Sequence, residues 1–324
     1  MFKILSKLST QNSKFRTFAY NCLLNTSQIR TKGWEKAWKS FISLNTNQPV
    51  TTLIHGYKAT ITAGFTYPLY MRRFKQLNNP LVQLVYQAFI TNKKKVNIID
   101  VGAAIGDTAF LLNSNVQHGI NKMLCIDGDD EFFKYLQLNM RQFDSVTCVR
   151  SFLSNSETEE KQLVRTHSGT ASAQGDGFTS AKSLDLIVTE NNFKEIDIIK
   201  IDVDGFDGKV LAGAKRILQN YKPLIIFEWH PVLIKQTANN TKESFTVLIN
   251  AGYEHFLFFT KYGYFSHYMY KIDTQAIDFL EQLSLLNKFE HDWHYDVIAL
   301  PAESQINMQE LAACNYAKTK KSPF

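Results

Sequence analysis

From Lys95 onward, short apolar runs alternate with stretches whose apolar positions recur every three or four residues. VNIIDVG (96–102), KMLCID (122–127), VTCVRSFL (146–153), IDIIKID (196–202) and PLIIFEW (223–229) read as strands, and YEHFLFF (253–259) and YDVIALP (295–301) as a sixth and a seventh. Continuous apolar runs of this length suit parallel strands covered on both faces. Between them, DEFFKYLQLNMRQF, GKVLAGAKRILQNY and KESFTVLINAGY have helical periodicity, as does the stretch that follows Gly106. Strand–helix alternation of this kind predicts an α/β, Rossmann-like fold: a mostly parallel seven-stranded sheet with helices on both faces.

Upstream the pattern changes. Residues 1–47 read as helical, with Trp34 and Trp38 on one face; residues 50–67 read as short strands around a turn at His55-Gly56; PLVQLVYQAFIT (80–91) reads as a helix with Pro80 at its start. The chain therefore divides into an N-terminal helical and short-strand extension (1–94), an α/β domain (95–302) and a C-terminal tail (303–324). The segment from Asn155 to Ala181, with Gly169, Gly175 and Gly177, breaks the rhythm and reads as a hairpin or mobile loop near the site.

Composition adds limits. The chain has 324 residues, 44% hydrophobic and 20% charged, with a net charge of +6 that looks thinly spread. Such an excess permits an acidic ligand or a membrane surface and demands neither. Nucleic acid is not an expected partner, because no basic run alternates with aromatics. No apolar stretch is long enough for a membrane span. The four cysteines form no C-x-x-C pair, which fits a reduced, cytoplasmic protein. From Met1 to Trp34 there are six basic residues and no acid. That segment reads as a helical extension on the domain or on a partner, or as a mitochondrial presequence.

Candidate chemistry collects at the strand ends. IIDVGAAIGDTAF places Gly102 and Gly106 in a strand-to-helix loop, where glycine lets backbone approach a ligand and a helix N-terminus offers free N–H groups. A dinucleotide loop of the G-x-G-x-x-G kind would have glycine where Ala104 stands. The looser loop suits the small methionine end of S-adenosylmethionine, with Asp100, Gly102, Ala103 and Gly106 as cofactor residues and Asp100 facing the ammonium. Asp127 ends the second strand, where a carboxylate accepts hydrogen bonds from both ribose hydroxyls. Asp129 directly precedes the next helix and reads as its N-cap. Asp202, Asp204, Glu228 and His230 gather at the ends of the fourth and fifth strands. Asp202, Glu228 and His230 are the candidate catalytic residues, His230 as general base. Asp204 alternatively caps the following helix, and Glu228 alternatively pairs with Lys200. No metal is assigned. Tyr67, Tyr70, Arg72 and Arg73 either line an acceptor pocket or form a solvated face, and His291 and His294 read as structural or rim residues.

The order IIDVGAAIGDT, the acid at 127, SLDLIV, IDIIKIDVDGFDGKVLAGA and PLIIFEWHP resembles the FkbM family of S-adenosylmethionine-dependent methyltransferases. The resemblance runs from 96 to 231 and does not reach the first 50 residues. It implies a methyltransferase fold, S-adenosylmethionine as cofactor and, usually in the family, O-methylation of a sugar or secondary-metabolite hydroxyl; the leading expectation is a sugar hydroxyl in a glycan or glycosylated metabolite. The family often has Asn at position 104, Glu at 127 and Glu at 204; here Ala104, Asp127 and Asp204 replace them. Two other functions stay open: an NAD-dependent oxidoreductase, and a catalytically silent module that binds a partner through its basic N-terminal helices. The sequence leaves the oligomeric state open.

Overall fold

Asn12 and Thr31 each turn a side-chain oxygen onto a backbone N–H, of Phe15 and of Trp34, and so begin helices α1 (Ser13–Asn25) and α2 (Lys32–Asn45). These caps satisfy donors that a first helical turn leaves without partners. The structure is a computed structural model that describes residues 9–29, 31–155, 158–161, 164–167, 170–172, 178–286 and 293–313. Tyr20 and Leu24 of α1 are fully buried, so this helix belongs to the body of the protein. Trp34 and Trp38 stack with ring centroids 5.4 Å apart, and the guanidinium of Arg73 lies 4.8 Å over Trp34. The hairpin of β1 (Pro49–Ile54) and β2 (Tyr57–Thr62) turns where the sequence predicts it. Both turn residues have positive φ, 49° at His55 and 89° at Gly56, the geometry that suits a two-residue hairpin loop. Helices α3 (Tyr67–Arg73) and α4 (Asn79–Asn92) lead into the sheet.

β3 (Val96–Val101) buries all six of its side chains. α5 (Asp107–Val116), β4 (Ile120–Asp127), α6 (Asp130–Met140) and β5 (Val146–Arg150) follow, and Asp129 caps α6 as predicted, accepting from the N–H groups of Glu131 and Phe132. The predicted third strand is interrupted at Ser151, beyond which β6 (Phe152–Leu153) leaves the main sheet and pairs with β10 (Phe178–Lys182). Short strands β7 (Thr158–Lys161), β8 (Val164–His167) and β9 (Thr170–Ser172) occupy the segment that breaks the rhythm, whose Gly169, Gly175 and Gly177 lie outside the described residues. After α7 (Leu184–Glu190) comes β11 (Ile198–Ile201). The predicted single helix over 208–221 is two, α8 (Asp207–Ala212) and α9 (Lys215–Asn220). The break falls at Gly213, where a Cβ would stand 2.2 Å from the Ser154 carbonyl oxygen. β12 (Leu224–Trp229), α10 (Pro231–Gln236), α11 (Glu243–Asn250), β13 (Tyr253–Thr260), β14 (Phe265–Tyr270), α12 (Thr274–Leu286), β15 (Tyr295–Pro301) and α13 (Met308–Ala313) complete the described chain.

The main sheet runs β14-β13-β15-β12-β11-β3-β4-β5. It is Rossmann-like, with five parallel strands from β12 to β5, but it has eight strands where the sequence predicts seven. β15 inserts antiparallel between β12 and β13, and β14 adds an antiparallel edge. β14 escapes the apolar pattern because FSHYMY is an edge strand with Phe265, Tyr268 and Tyr270 exposed. Successive strand residues serve opposite faces. Ile98, Met123 and Ile198 join a core with α1, the hairpin, α4, α5 and α6, while Ile99, Leu124 and Ile199 join one with α7, α8, α9 and α11.

Candidate active site

A cleft of about 350 Å³ opens above the carboxyl ends of β3, β4, β11 and β12. That is the edge where open α/β sheets hold ligands, and the size is that of a small-molecule site. Gly102, Ala104, Asp127, Gly128, Asp129 and Phe152 wall one end; Asp202, Asp204, Phe206, Glu228, His294 and Asp296 wall the other.

The glycine loop is shaped by close approach. A Cβ at Gly102 (φ 78°) would fall 1.8 Å from the Asp202 carbonyl oxygen, so a side chain there would push β3 and β11 apart at the cleft floor. The N–H groups of Gly102 and Ala103 both donate to the Ile126 carbonyl, at 2.9 and 3.0 Å. Ala104 has φ 44°, a left-handed conformation that costs a non-glycine residue about 1–2 kcal/mol. The loop holds it there because its N–H donates to Asp127 Oδ2 at 2.8 Å, while Asp127 Oδ1 accepts from Asp129 N–H at 2.9 Å. One carboxylate thus ties the loops after β3 and β4 together and still borders the cleft. Burial pushes the Asp127 carboxyl up to about 7, against the pull of those two N–H groups.

The other predicted cofactor residues lie behind this wall. Asp100 is fully buried, and its partner is Lys200, with Nζ 3.2 Å from Asp100 Oδ1. Ala103 and Gly106 are buried beneath the loop, Gly106 with φ 89° at the start of α5 and against the Met140 side chain. Only Gly102 and Asp127 of the five border the cleft.

At the opposite end, Asp202 is half exposed on the wall, and its Oδ2 is 3.4 Å from Lys200 Nζ. Lys200 also donates to the Gly102 carbonyl at 3.3 Å. Lys200 therefore bridges Asp100 and Asp202, and the predicted alternative of a Lys200–Glu228 pair is replaced. Glu228 Oε1 instead lies 3.3 Å from His294 Nε2, while Glu228 Oε2 is buried with no hydrogen-bond partner among the described residues. Burial, then the nearby carboxylates of Asp202, Asp204, Asp207 and Asp296, push the Glu228 carboxyl well above the usual carboxylate range. Asp296 sits across from Glu228 in the β12–β15 register and is itself raised to about 6 by burial. His230 does not border the cleft. It is buried, caps α10 by accepting the Leu233 N–H on Nδ1 at 3.4 Å, and stacks on His294 with ring centroids 4.9 Å apart. Asp204 borders the cleft with φ 50°, and Phe206 rather than Asp204 holds the cap position of α8.

The extension supplies the remaining wall. Tyr67 and Tyr70 line it; Arg72 and Arg73 point elsewhere, Arg73 to Trp34. The Tyr67 hydroxyl is 2.7 Å from His55 Nε2, on a ring that burial lowers to about 4 and so keeps neutral. Tyr262, in the turn between β13 and β14, stacks on Phe74 at 4.0 Å and closes the cleft beside Lys261. A Cβ at Gly263 would fall 1.8 Å from the Gln76 carbonyl oxygen, so that turn rests directly on the extension's backbone.

The sequence reading assigns no site role to Tyr262 or Asp296, offers Lys200 as a partner for Glu228, and takes His294 as a structural or rim residue; all four border the cleft. The polar run His294-Tyr295-Asp296 just before an apolar strand is the signal that would have found His294 and Asp296, given a strand lying antiparallel beside PLIIFEW. His291 lies outside the described residues. Among the described residues no group of three His, Cys, Asp or Glu side chains is arranged to hold a metal ion, and no helix is long and apolar enough to cross a membrane.

Residues 100–265 match the methyltransferase FkbM domain. Among solved structures, the chain is similar to methyltransferase FkbM from Methylobacillus flagellatus KT (16% identity, 63% of this chain and 43% of that one, TM-score 0.39). It is also similar to an O-methyltransferase from Bacillus cereus in complex with SAH (14%, 69% and 80%, 0.37). A third similar structure is fibrillarin from Aeropyrum pernix with natively bound S-adenosyl-L-methionine (10%, 63% and 66%, 0.36). The chain spans less than half the length of the M. flagellatus protein. No curated protein matches it.

Proposed function

Because the chain belongs to the FkbM methyltransferase family, we propose that it transfers a methyl group from S-adenosylmethionine to a sugar hydroxyl of a glycan or glycosylated metabolite. The observation that carries the reading is the cleft itself: a glycine loop and Asp127 at one end, a carboxylate cluster around Glu228 at the other. The donor set fits an adenosyl cofactor. Asp127 keeps acceptor capacity toward a vicinal diol, since each of its oxygens accepts one N–H and has a second lone pair. The loop at Gly102 and Ala104 brings backbone to the cleft wall. Gly102 and Asp127 would hold the cofactor directly; Asp100, Ala103 and Gly106 would shape the loop from behind.

When bound, the cofactor supplies an electrophilic methyl group on a sulfonium. The chain's own work is to orient the acceptor and to take its proton. Asp202, half exposed and tethered by Lys200, accepts a hydrogen bond from the acceptor hydroxyl in this scheme. Glu228, which borders the cleft, receives the proton, with His294 fixing its Oε1. Burial and the surrounding carboxylates raise the proton affinity of Glu228 above that of an ordinary carboxylate, which favours it as the group that takes a proton. His230 supports His294 through ring stacking in this scheme and does not meet the substrate. Tyr67, Tyr70 and Tyr262 offer aromatic faces to a sugar ring.

Calorimetry with S-adenosylhomocysteine and NAD, followed by methyl incorporation across a panel of glycosides, tests the proposal. Binding of S-adenosylhomocysteine and labelled methyl ether formation are expected. Tight NAD binding without S-adenosylhomocysteine binding would overturn the cofactor. Methyl transfer confined to amines or thiols would overturn the acceptor.

A further inference from the structure

The charge is not thinly spread. Residues 1–99 hold 15 Lys and Arg against one acid, Glu35, a net of +14; residues 100–324 hold 21 against 29, a net of −8. A basic module is thus joined to an acidic methyltransferase domain. Some lysines of both parts pair with a carboxylate, Lys94 in the basic part and Lys182, Lys222, Lys235 and Lys242 in the acidic part among them. Among the described residues, Lys14, Lys32, Lys36, Lys39 and Lys58 have no such ion pair, and all five are exposed. Lys32, Lys36 and Lys39 follow one face of α2, opposite the buried Trp34 and Phe41.

The outer face of α1 carries Lys14, Phe18, Asn21 and Asn25 at helical spacing. Phe18 is 65% exposed. Asn21 and Asn25 border a recess with Leu53 and Lys58 of the hairpin and with Arg72, and no carboxylate enters that lining. Leu53 is 56% exposed at its rim. Large apolar side chains set among basic ones, with a polar recess between them, match the boundary between lipid headgroups and acyl chains. A single-stranded nucleic acid would ask instead for several exposed aromatic rings on which bases stack, and among the described residues this face offers Phe18.

We infer that the α1–hairpin face of the N-terminal module docks on an anionic lipid surface, with Lys14, Lys58 and Arg72 meeting headgroup phosphates and Phe18 and Leu53 entering the interface. The inference is independent of the acceptor and of catalysis.

The full-length protein is sedimented with phosphatidylcholine vesicles, alone or with about 30% phosphatidylglycerol, a fraction that gives a marked negative surface potential. Binding to the anionic vesicles only, lost at high salt, is expected. The double variant Lys14→Glu/Lys58→Glu should weaken it by roughly tenfold or more. Phe18→Ser/Leu53→Ser should weaken it as well, and both variants should keep the wild-type circular dichroism and S-adenosylhomocysteine affinity, since all four side chains are exposed and outside the cleft. Equal binding to both vesicle types, no vesicle binding, or retention by RNA or DNA without vesicle binding would overturn the inference.

Discussion

Asp127 answers to two loops at once, and its substitution separates bracing from binding. Asp127→Ala removes charge-assisted bonds worth about 1.5–3 kcal/mol, so S-adenosylhomocysteine affinity measured by calorimetry should fall about tenfold to a hundredfold; unchanged affinity would remove Asp127 from the cofactor site. Asp207 is a different case. It is fully buried at the start of α8, outside the cleft lining, and burial lifts its carboxyl to about 7. A carboxyl raised in the folded state binds more protons there than in the unfolded chain, so its contribution to stability falls as pH rises from about 4 through 7. Asp207→Asn should therefore match the wild type near pH 4 and become more stable than it by on the order of 1–4 kcal/mol near pH 8, read from denaturant midpoints at each pH. An advantage that shrinks with rising pH would contradict the assignment. At Ala104 the left-handed backbone is a standing cost, and Ala104→Gly should raise the melting temperature, the gain staying within about 1–2 kcal/mol. The asparagine often found at this position in the family tolerates that conformation better than alanine.

At the scale of elements, what the sequence disclosed was whatever burial writes as an apolar run. VNIIDV and PLIIFEW are covered on both faces and announce themselves; FSHYMY, none of whose side chains is fully buried, carries no such run. The helix over 208–221 breaks at Gly213, where only glycine fits against the Ser154 carbonyl, 59 residues earlier in the chain, a contact no local window contains. The site divides in the same way. Gly102, Asp127, Asp202 and Glu228 sit at predictable strand ends, whereas His294 and Asp296 reach the cleft through the antiparallel insertion of β15, and Tyr262 through a turn resting on the extension. His230 shares a strand end with Glu228 but turns its ring away to cap α10. That resting turn is itself testable. Gly263→Ala places a Cβ against the Gln76 carbonyl and in a left-handed backbone, so it should cost about 1–3 kcal/mol in thermal unfolding and displace Tyr262 from Phe74. A neutral substitution would show that the turn does not need the glycine.

For the whole molecule, the extension and the sheet share one core. Tyr57 stacks on Phe110 with centroids 5.8 Å apart, Phe65 meets the edge of Phe132, and the Asn139 side chain bonds both the N–H and the carbonyl of Thr60. A truncated chain beginning at Lys95 would uncover Phe110 and Phe132, each worth about 1.5–3 kcal/mol of burial. It should lose its near-ultraviolet circular dichroism and bind hydrophobic dye; a native-like spectrum would show the α/β domain to be autonomous. The seven-residue helix α3 stands at the seam of the two parts, with Tyr67 and Tyr70 turned to the cleft and Arg72 and Arg73 turned to the basic module. A strut anchored at both ends cannot be shifted at one without strain at the other. Whatever factor donor occupancy applies to attachment at the outer face, attachment must return to donor affinity, because linked equilibria are reciprocal.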